Sequence, residues 1–237
     1  MAEVLFRVID LETSGMEPPA EIIETGWTDV LFETDSKACI IQPPQSALWR
    51  PSAGIPPETM AVHHIAPAMV ADRPLLGYGD IDALMLNEGP QFIVAHQADF
   101  EQKWLKAFTG EGCYWIDTFK VALRACPDAP GHSNQTLRYW LDLDLDPAFA
   151  MPPHRAGPDS YVTAHILARL LAEFSVRQMV GWTLAPRYYA TCPLQKHKGK
   201  PWAQVDGSYL RWMIGAPDME ADLKAAAQAE LDLRRTR

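Results

Sequence analysis

Short apolar runs separated by turn-forming residues set out the first hundred positions. Val4-Leu5-Phe6-Arg7-Val8-Ile9 has the β-branched and aromatic content of a buried strand. Thr13-Ser14-Gly15-Met16-Glu17-Pro18-Pro19 reads as a turn. A second strand is predicted over 21–31 and a third over 37–41, which together make an antiparallel meander. Prolines at 43, 44, 51, 56 and 57 then predict loop as far as Glu58.

Beyond that point strands and helices alternate. A short helix is predicted over 81–86, and Gln91-Phe92-Ile93-Val94-Ala95-His96 reads as a buried strand. Residues 98–108 space Phe100, Trp104, Leu105 and Phe108 at helical intervals. Tyr114-Trp115-Ile116-Asp117 is a further strand, followed by helices over 118–126 and 134–141. Such alternation adds parallel strands to the meander, giving an α/β chain with a mixed sheet flanked by helices. A late helix over 160–173 carries Tyr161, Ala164, Ile166, Leu167, Leu170 and Leu171 on its apolar face. Pro158 is expected at its first position, where the missing N–H costs nothing.

The character changes near Val180. Residues 181–237 are rich in Trp, Tyr, Pro and Lys and close with an alanine-rich helix over 219–233, so the chain divides into 1–180 and a small basic module, 181–237. With 237 residues, 48% of them hydrophobic, there is enough apolar material for one large core and an appendage. The net charge of −9 argues against coating nucleic acid through bulk electrostatics. Between 186 and 212, however, Arg187, Lys196, Lys198, Lys200 and Arg211 oppose one acid, Asp206, a local charge of +4. Cys39, Cys113, Cys126 and Cys192 lie far apart and form no C-x-x-C pair, which argues against a zinc cluster or a disulfide framework and suits a reducing cytoplasm. No apolar stretch approaches the ~20 residues that cross a bilayer, and Met1-Ala2-Glu3 does not open a signal peptide, so a cytoplasmic protein with no membrane partner is expected.

Candidate chemistry begins on the first strand. Side chains alternate between strand faces, so Asp10 and Glu12 emerge together. Two carboxylates at a buried strand end raise each other's pKa unless a cation lies between them, and a divalent metal ion is the obvious one. Asp-x-Glu is a weak motif on its own. Three further segments matter. Val94-Ala95-His96-Gln97-Ala98-Asp99-Phe100-Glu101 delivers acids to a helix start, where the dipole favours them; His154 precedes Asp159 at another; and Val62-His63-His64-Ile65 lies in a proline-rich region. Taken singly, these read as a capping acid, a surface histidine and a half-buried histidine.

In this order, together with Ile55-Pro56-Pro57-Glu58-Thr59-Met60-Ala61 and Trp115-Ile116-Asp117-Thr118, the segments resemble the DEDDh subgroup of the DnaQ-like 3′–5′ exonucleases. The resemblance implies an RNase H-like fold and two Mg²⁺ or Mn²⁺ ions, which would stabilise the attacking and leaving oxygens of an in-line displacement at phosphorus. Asp10 would bridge both ions, Glu12 and Asp159 would complete one site, and His154, on the loop before the late helix, would take the proton of the attacking water. His63 would approach the terminal nucleotide, with Val62 and Ile65 against its base or sugar and Thr13 beside it. The product would be a nucleoside 5′-monophosphate.

The middle motif departs from the family pattern. Phe100-Glu101 stands where Phe-Asp is usual, Gln97 where Asn is usual, and Asp99 is an extra acid. On a helix Asp99 and Glu101 point about 200° apart, so one alone faces the metals. Alignment favours Glu101, with Asp99 as its substitute. Lys196-His197-Lys198-Gly199-Lys200-Pro201 and Tyr209-Leu210-Arg211-Trp212 resemble the C-terminal extension of bacterial members. That implies a nucleic-acid grip in which Lys196, Lys198 and Lys200 neutralise phosphates and Trp202 or Trp212 stacks on bases. DNA 3′ ends are the expected substrate. RNA is the alternative, since the catalytic set does not report a 2′-hydroxyl. A catalytically reduced nucleic-acid-binding protein is a third reading, disfavoured by the complete acid set.

Overall fold

The computed structural model describes residues 3–17, 19–77, 80–105 and 113–236. Its centre is an antiparallel pair, β1 (Glu3–Thr13) and β2 (Ile22–Glu33), in register from Glu3 opposite Glu33 to Glu12 opposite Glu24. β3 (Cys39–Ile41) and β4 (Gln45–Leu48) both pair antiparallel with β2. On the other side, β5 (Phe92–Ala95) runs parallel to β1, and β6 (Tyr114–Asp117) parallel to β5. The resulting order is β3-β2-β1-β5-β6, the mixed sheet that the sequence pattern implies.

β1 reads as a continuous apolar run because both of its faces are covered. Phe6 and Val8 point into a core completed by Val94, Ile116, Ile166, Leu167 and Leu171, whereas Ile9 and Leu11 point the other way, toward Met85, Ile93 and Leu105. Seven-residue helices α1 (Pro57–His63) and α3 (Asp80–Leu86) and the single turn α2 (Pro67–Val70) lie between β4 and β5. α4 (Thr118–Ala125) and α5 (Asn134–Trp140) follow β6, each capped by a side chain, Asp117 and Ser133 respectively. α6 (Ala156–Glu173) crosses β1 and β2 on the face of the larger core.

Four details differ from the sequence pattern. The predicted loop after 42 contains β4, since Pro43 and Pro44 precede the strand and leave residues 45–48 free to pair. The predicted helix over 98–108 is, in its described part, a turn followed by a short 3₁₀ helix, Glu101–Lys103, entered through Gln97, which takes a left-handed φ of +72° and donates its N–H to Asp117; Phe108 lies outside the described residues. α6 begins at Ala156 rather than 160, so Pro158 is its third residue, still within the first turn whose N–H groups have no helical partner. α7 (Val176–Leu184) runs through position 180 and packs on β6 and α4, and Val180 lies against the larger core. The second apolar cluster is built from residues after Leu184.

Beyond it, α8 (Gly207–Gly215) and α9 (Ala221–Arg235) pack on each other around Cys192, Val205, Leu210, Met213, Leu223 and Ala227. Arg187 ties this module to α4: its guanidinium stacks over Phe119 at 4.7 Å and Tyr189 at 5.3 Å. Among the described residues no helix is long and apolar enough to cross a membrane.

Candidate active site

Gly26 explains how the site is assembled. It lies opposite Asp10 in the β1–β2 register, and a Cβ there would fall 2.1 Å from the carbonyl carbon of Ala156. Only a residue without a side chain lets the start of α6 rest on the strand backbone. Asp159, in the first turn of α6, is thereby carried to Asp10 and Glu12, and carboxylate oxygens of all three lie within 4.8 Å of one another. Asp159 is held firmly: Oδ2 accepts the main-chain N–H of His154 at 2.7 Å, and Oδ1 accepts from Gln135 Nε2 at 3.1 Å.

Glu101 lies outside that 4.8 Å set but near enough for its charge to act on Asp10, whereas Asp99 is turned to the surface. The Glu101 side chain is buried, and its Oε2 has no hydrogen-bond partner among the described residues. Asp99 is 74% exposed and pairs with Lys120 at 3.5 Å. Asp117 sets this difference. Its Oδ1 caps α4 through the N–H groups of Phe119 and Lys120, at 2.9 and 3.1 Å, and also accepts the N–H of Gln97 at 3.2 Å. The turn from Gln97 is thus fixed, and Glu101 faces inward.

Crowding and burial leave these carboxyls reluctant to ionise. Desolvation, followed by the charges of Asp159 and Glu24, pushes Glu12 up to about 8. Desolvation also pushes Glu101 up to about 8, with Asp117 and Glu12 adding to it. Asp10 is raised well above the carboxylate range by burial and then by Glu12, Asp159 and Glu101. Asp159 is raised by burial, against the opposing pull of the His154 N–H. A cluster of hard carboxylate oxygens, with a buried acceptor that has no partner among the described residues, fits a divalent cation.

The remaining predicted residues have separate placements. His154 is exposed, with a φ of +59°. His63 is buried. Its Nδ1 accepts the N–H of Ile65 at 2.9 Å, which leaves Nε2 as the N–H donor of the neutral ring, without a partner among the described residues. Burial lowers its pKa, so the neutral form is favoured. Val62 is exposed, and Ile65 is fully buried with Ile23, Ile55 and Val70. The Thr13 hydroxyl is committed to the carbonyl of Gly15 at 2.6 Å. Lys196, Lys198 and Lys200 are exposed in the C-terminal module.

Two residues without a sequence-derived role flank the cluster. Glu24 is buried and faces Glu12 across the strand pair, and Arg155 grips it through Nε and Nη2 at 2.8 and 2.7 Å. The hairpin register was the available signal for Glu24, and adjacency to His154 for Arg155.

This arrangement, acids from β1, from the turn after β5 and from the start of α6, belongs to a known class. The family described as Exonuclease (RNase_T) matches residues 8–167, so the chain belongs to that family and is an exonuclease, a hydrolase. Among its relatives, exodeoxyribonuclease 10 of Escherichia coli strain K12 is 33% identical over 230 residues, covering 93% of this chain and 97% of that protein. Among solved structures, exonuclease X in complex with 5′-overhanging duplex DNA is also 33% identical, with a TM-score of 0.60 over 75% of this chain and 99% of that one. The nuclease domain of 3′hExo, a DEDDh family member bound to rAMP, shares the fold at 20% identity, with a TM-score of 0.51 over 71% of this chain and 92% of its own.

Proposed function

We propose that this exonuclease is a metal-dependent 3′–5′ exodeoxyribonuclease that releases nucleoside 5′-monophosphates from DNA 3′ ends. The observation that carries this reading is the convergence of Asp10, Glu12 and Asp159 oxygens within 4.8 Å, with Glu101 buried beside them. Two divalent ions, Mg²⁺ or Mn²⁺, suit the donor set: Asp10 would serve both, Glu12 and Asp159 one, and Glu101 the other. Bound there, they supply Lewis-acid stabilisation of charge on the reacting phosphate oxygens.

The chain's own groups do the rest. The imidazole of His154, exposed beside Asp159, accepts the proton of the attacking water. The unpartnered Nε2–H of His63 offers a donor to the terminal nucleotide, and exposed Val62 an apolar contact. Residues 181–237 act as a nucleic-acid-binding extension in which Lys196, Lys198 and Lys200 meet phosphates. The relatives named for deoxyribonuclease activity and for bound DNA favour DNA over RNA. Four free cysteines fit a reducing cytoplasm.

Side-by-side digestion of 5′-labelled DNA and RNA oligomers tests the proposal. DNA shortened one nucleotide at a time in Mg²⁺ or Mn²⁺, with 5′-mononucleotides as products and no cleavage in EDTA, is the expected result. Faster digestion of RNA, or cleavage persisting after prolonged chelation, would overturn it.

A further inference from the structure

The C-terminal module presents a surface for which the carboxylate site has no use. Trp212, on α8, is 54% exposed, unusual for the largest apolar side chain. Its ring packs on Tyr209, with centroids 5.0 Å apart and planes inclined by 34°. Tyr209 in turn meets the ring of His197 at 4.6 Å, and the ammonium of Lys196 stands 5.2 Å from its centroid. Trp212 therefore ends a short stack whose inner members hold it in place while the Trp212 ring keeps open surface. Trp202 differs: its indole N–H is spent on the carbonyl of Tyr189 at 2.7 Å, and it packs against the module's core.

The charge around this stack is cationic. Lys196, Lys198 and Lys200 are exposed on one loop, closed by a pair of hydrogen bonds, Cys192 N–H to Lys200 O at 3.0 Å and Gly199 N–H to Cys192 O at 2.9 Å. None of the three forms a salt bridge among the described residues. Gly199 has a φ of +78°, and a Cβ there would meet nothing within 4 Å among the described residues, so the loop backbone is open on that side. Arg211, next to Trp212, is exposed as well. The opposing acid is Asp206, 3.7 Å from His197 Nε2.

We infer that Trp212 and Tyr209, framed by Lys196, Lys198 and Lys200, form a nucleic-acid site separate from the carboxylate cluster, which stacks the unpaired bases of single-stranded DNA. The inference rests on the reading of the lysine loop as a nucleic-acid contact and names the form of DNA it takes. Lysines alone would accept the phosphates of any duplex. An exposed indole adds a π-face that only an unstacked base can cover, since duplex bases already stack on one another. The site would hold the single-stranded part of a substrate whose 3′ end lies in the carboxylate cluster.

The test uses the full chain in EDTA, where hydrolysis plays no part, with fluorescein-labelled oligodeoxythymidylate and a blunt hairpin duplex as probes. Trp212→Ala should weaken oligodeoxythymidylate binding about 5- to 100-fold and hairpin binding far less, and Trp212→Phe should restore most of the loss. Lys198→Ala with Lys200→Ala should reduce the slope of log affinity against log salt by about 1.4. Unchanged affinity of Trp212→Ala for the oligonucleotide would overturn the inference, as would equal loss on both probes or no rescue by Phe. A dimer in sedimentation that Trp212→Ala dissociates, with DNA affinity unaltered, would assign the face to self-association instead. Because binding is read without metal, a negative result leaves Mn²⁺-dependent digestion by the unaltered protein as an independent measure of the catalytic proposal.

Discussion

Arg155 holds Glu24 through two hydrogen bonds directly across the strand pair from Glu12. The same Glu24 carboxylate accepts the N–H of Ala156 at 3.0 Å, so one ion pair pins both the residue after His154 and the first residue of α6. Arg155 also lowers the pKa of Glu12, and so acts as the cluster's resident positive charge. Arg155→Ala leaves Glu24 as a buried charge without a partner. The expected loss is about 3 kcal/mol, at the low end for a broken buried pair because Arg155 is a quarter exposed. Thermal denaturation of the metal-free protein should show a fall of roughly 6–12 °C. Adding Glu24→Gln to Arg155→Ala should recover part of it, and a double variant no more stable than the single one would count against an electrostatic cause.

Glu101→Gln should abolish metal-dependent DNA cleavage, whereas Asp99→Ala should leave its rate close to that of the unaltered protein. Glu101 is buried beside Asp10 and Glu12, whereas Asp99 spends its charge on Lys120 at the surface. Rates measured in Mn²⁺ on one labelled oligomer decide the matter, and the reverse outcome would hand the role to Asp99.

His154 contributes its main chain and its ring separately. The N–H supports Asp159, and the left-handed φ of +59° is one that Asn tolerates well. His154→Asn should therefore keep the support of Asp159 and the affinity for Mn²⁺, measured by calorimetry, while kcat falls by about 10²- to 10⁴-fold. A large loss of Mn²⁺ affinity with kcat preserved would point to a role in holding the metal rather than the proton.

Without metal, stability should decline as pH rises. Glu12 and Glu101 have carboxyls pushed up to about 8 from an ordinary value of 4.5, so across that interval the folded chain keeps protons that the unfolded chain has released. Folding is favoured at the acidic end and weakened toward pH 8. Melting temperatures in EDTA should fall between about pH 5 and 8, and Mg²⁺ or Mn²⁺ should restore them at the upper end. An ion at a hundredfold excess over its Kd contributes ~2.7 kcal/mol. A flat or rising profile in EDTA would show that the carboxyls are not coupled as described.

Much of this was legible in the chain because it rests on local pattern. The period-two alternation of β1 puts Asp10 and Glu12 on one side, and the apolar runs before residues 96 and 118 mark β5 and β6. What escaped depends on contacts distant in sequence. The 3₁₀ turn carrying Glu101 follows from a hydrogen bond between Gln97 and Asp117, 20 residues apart, and the Glu24–Arg155 pair spans 131. Ile65 has the look of a residue beside a reactive histidine, yet Ile23 and Ile55 enclose it. The exposure of Trp212 was open to either reading, since an indole in a short helix suits a core as well as a surface.

The meeting of Gly26 with Ala156 bears on how this enzyme ages through mutation. Main chain touches main chain, so the spacing of the backbones that carry Asp10 and Asp159 is set with no side chain wedged between them. Substitutions that loosen Leu167 or Ile166 deeper in α6 would lower the melting point while the first turn kept its seat. Such a variant, assayed below its lowered melting point, should cleave at close to the rate of the unaltered protein.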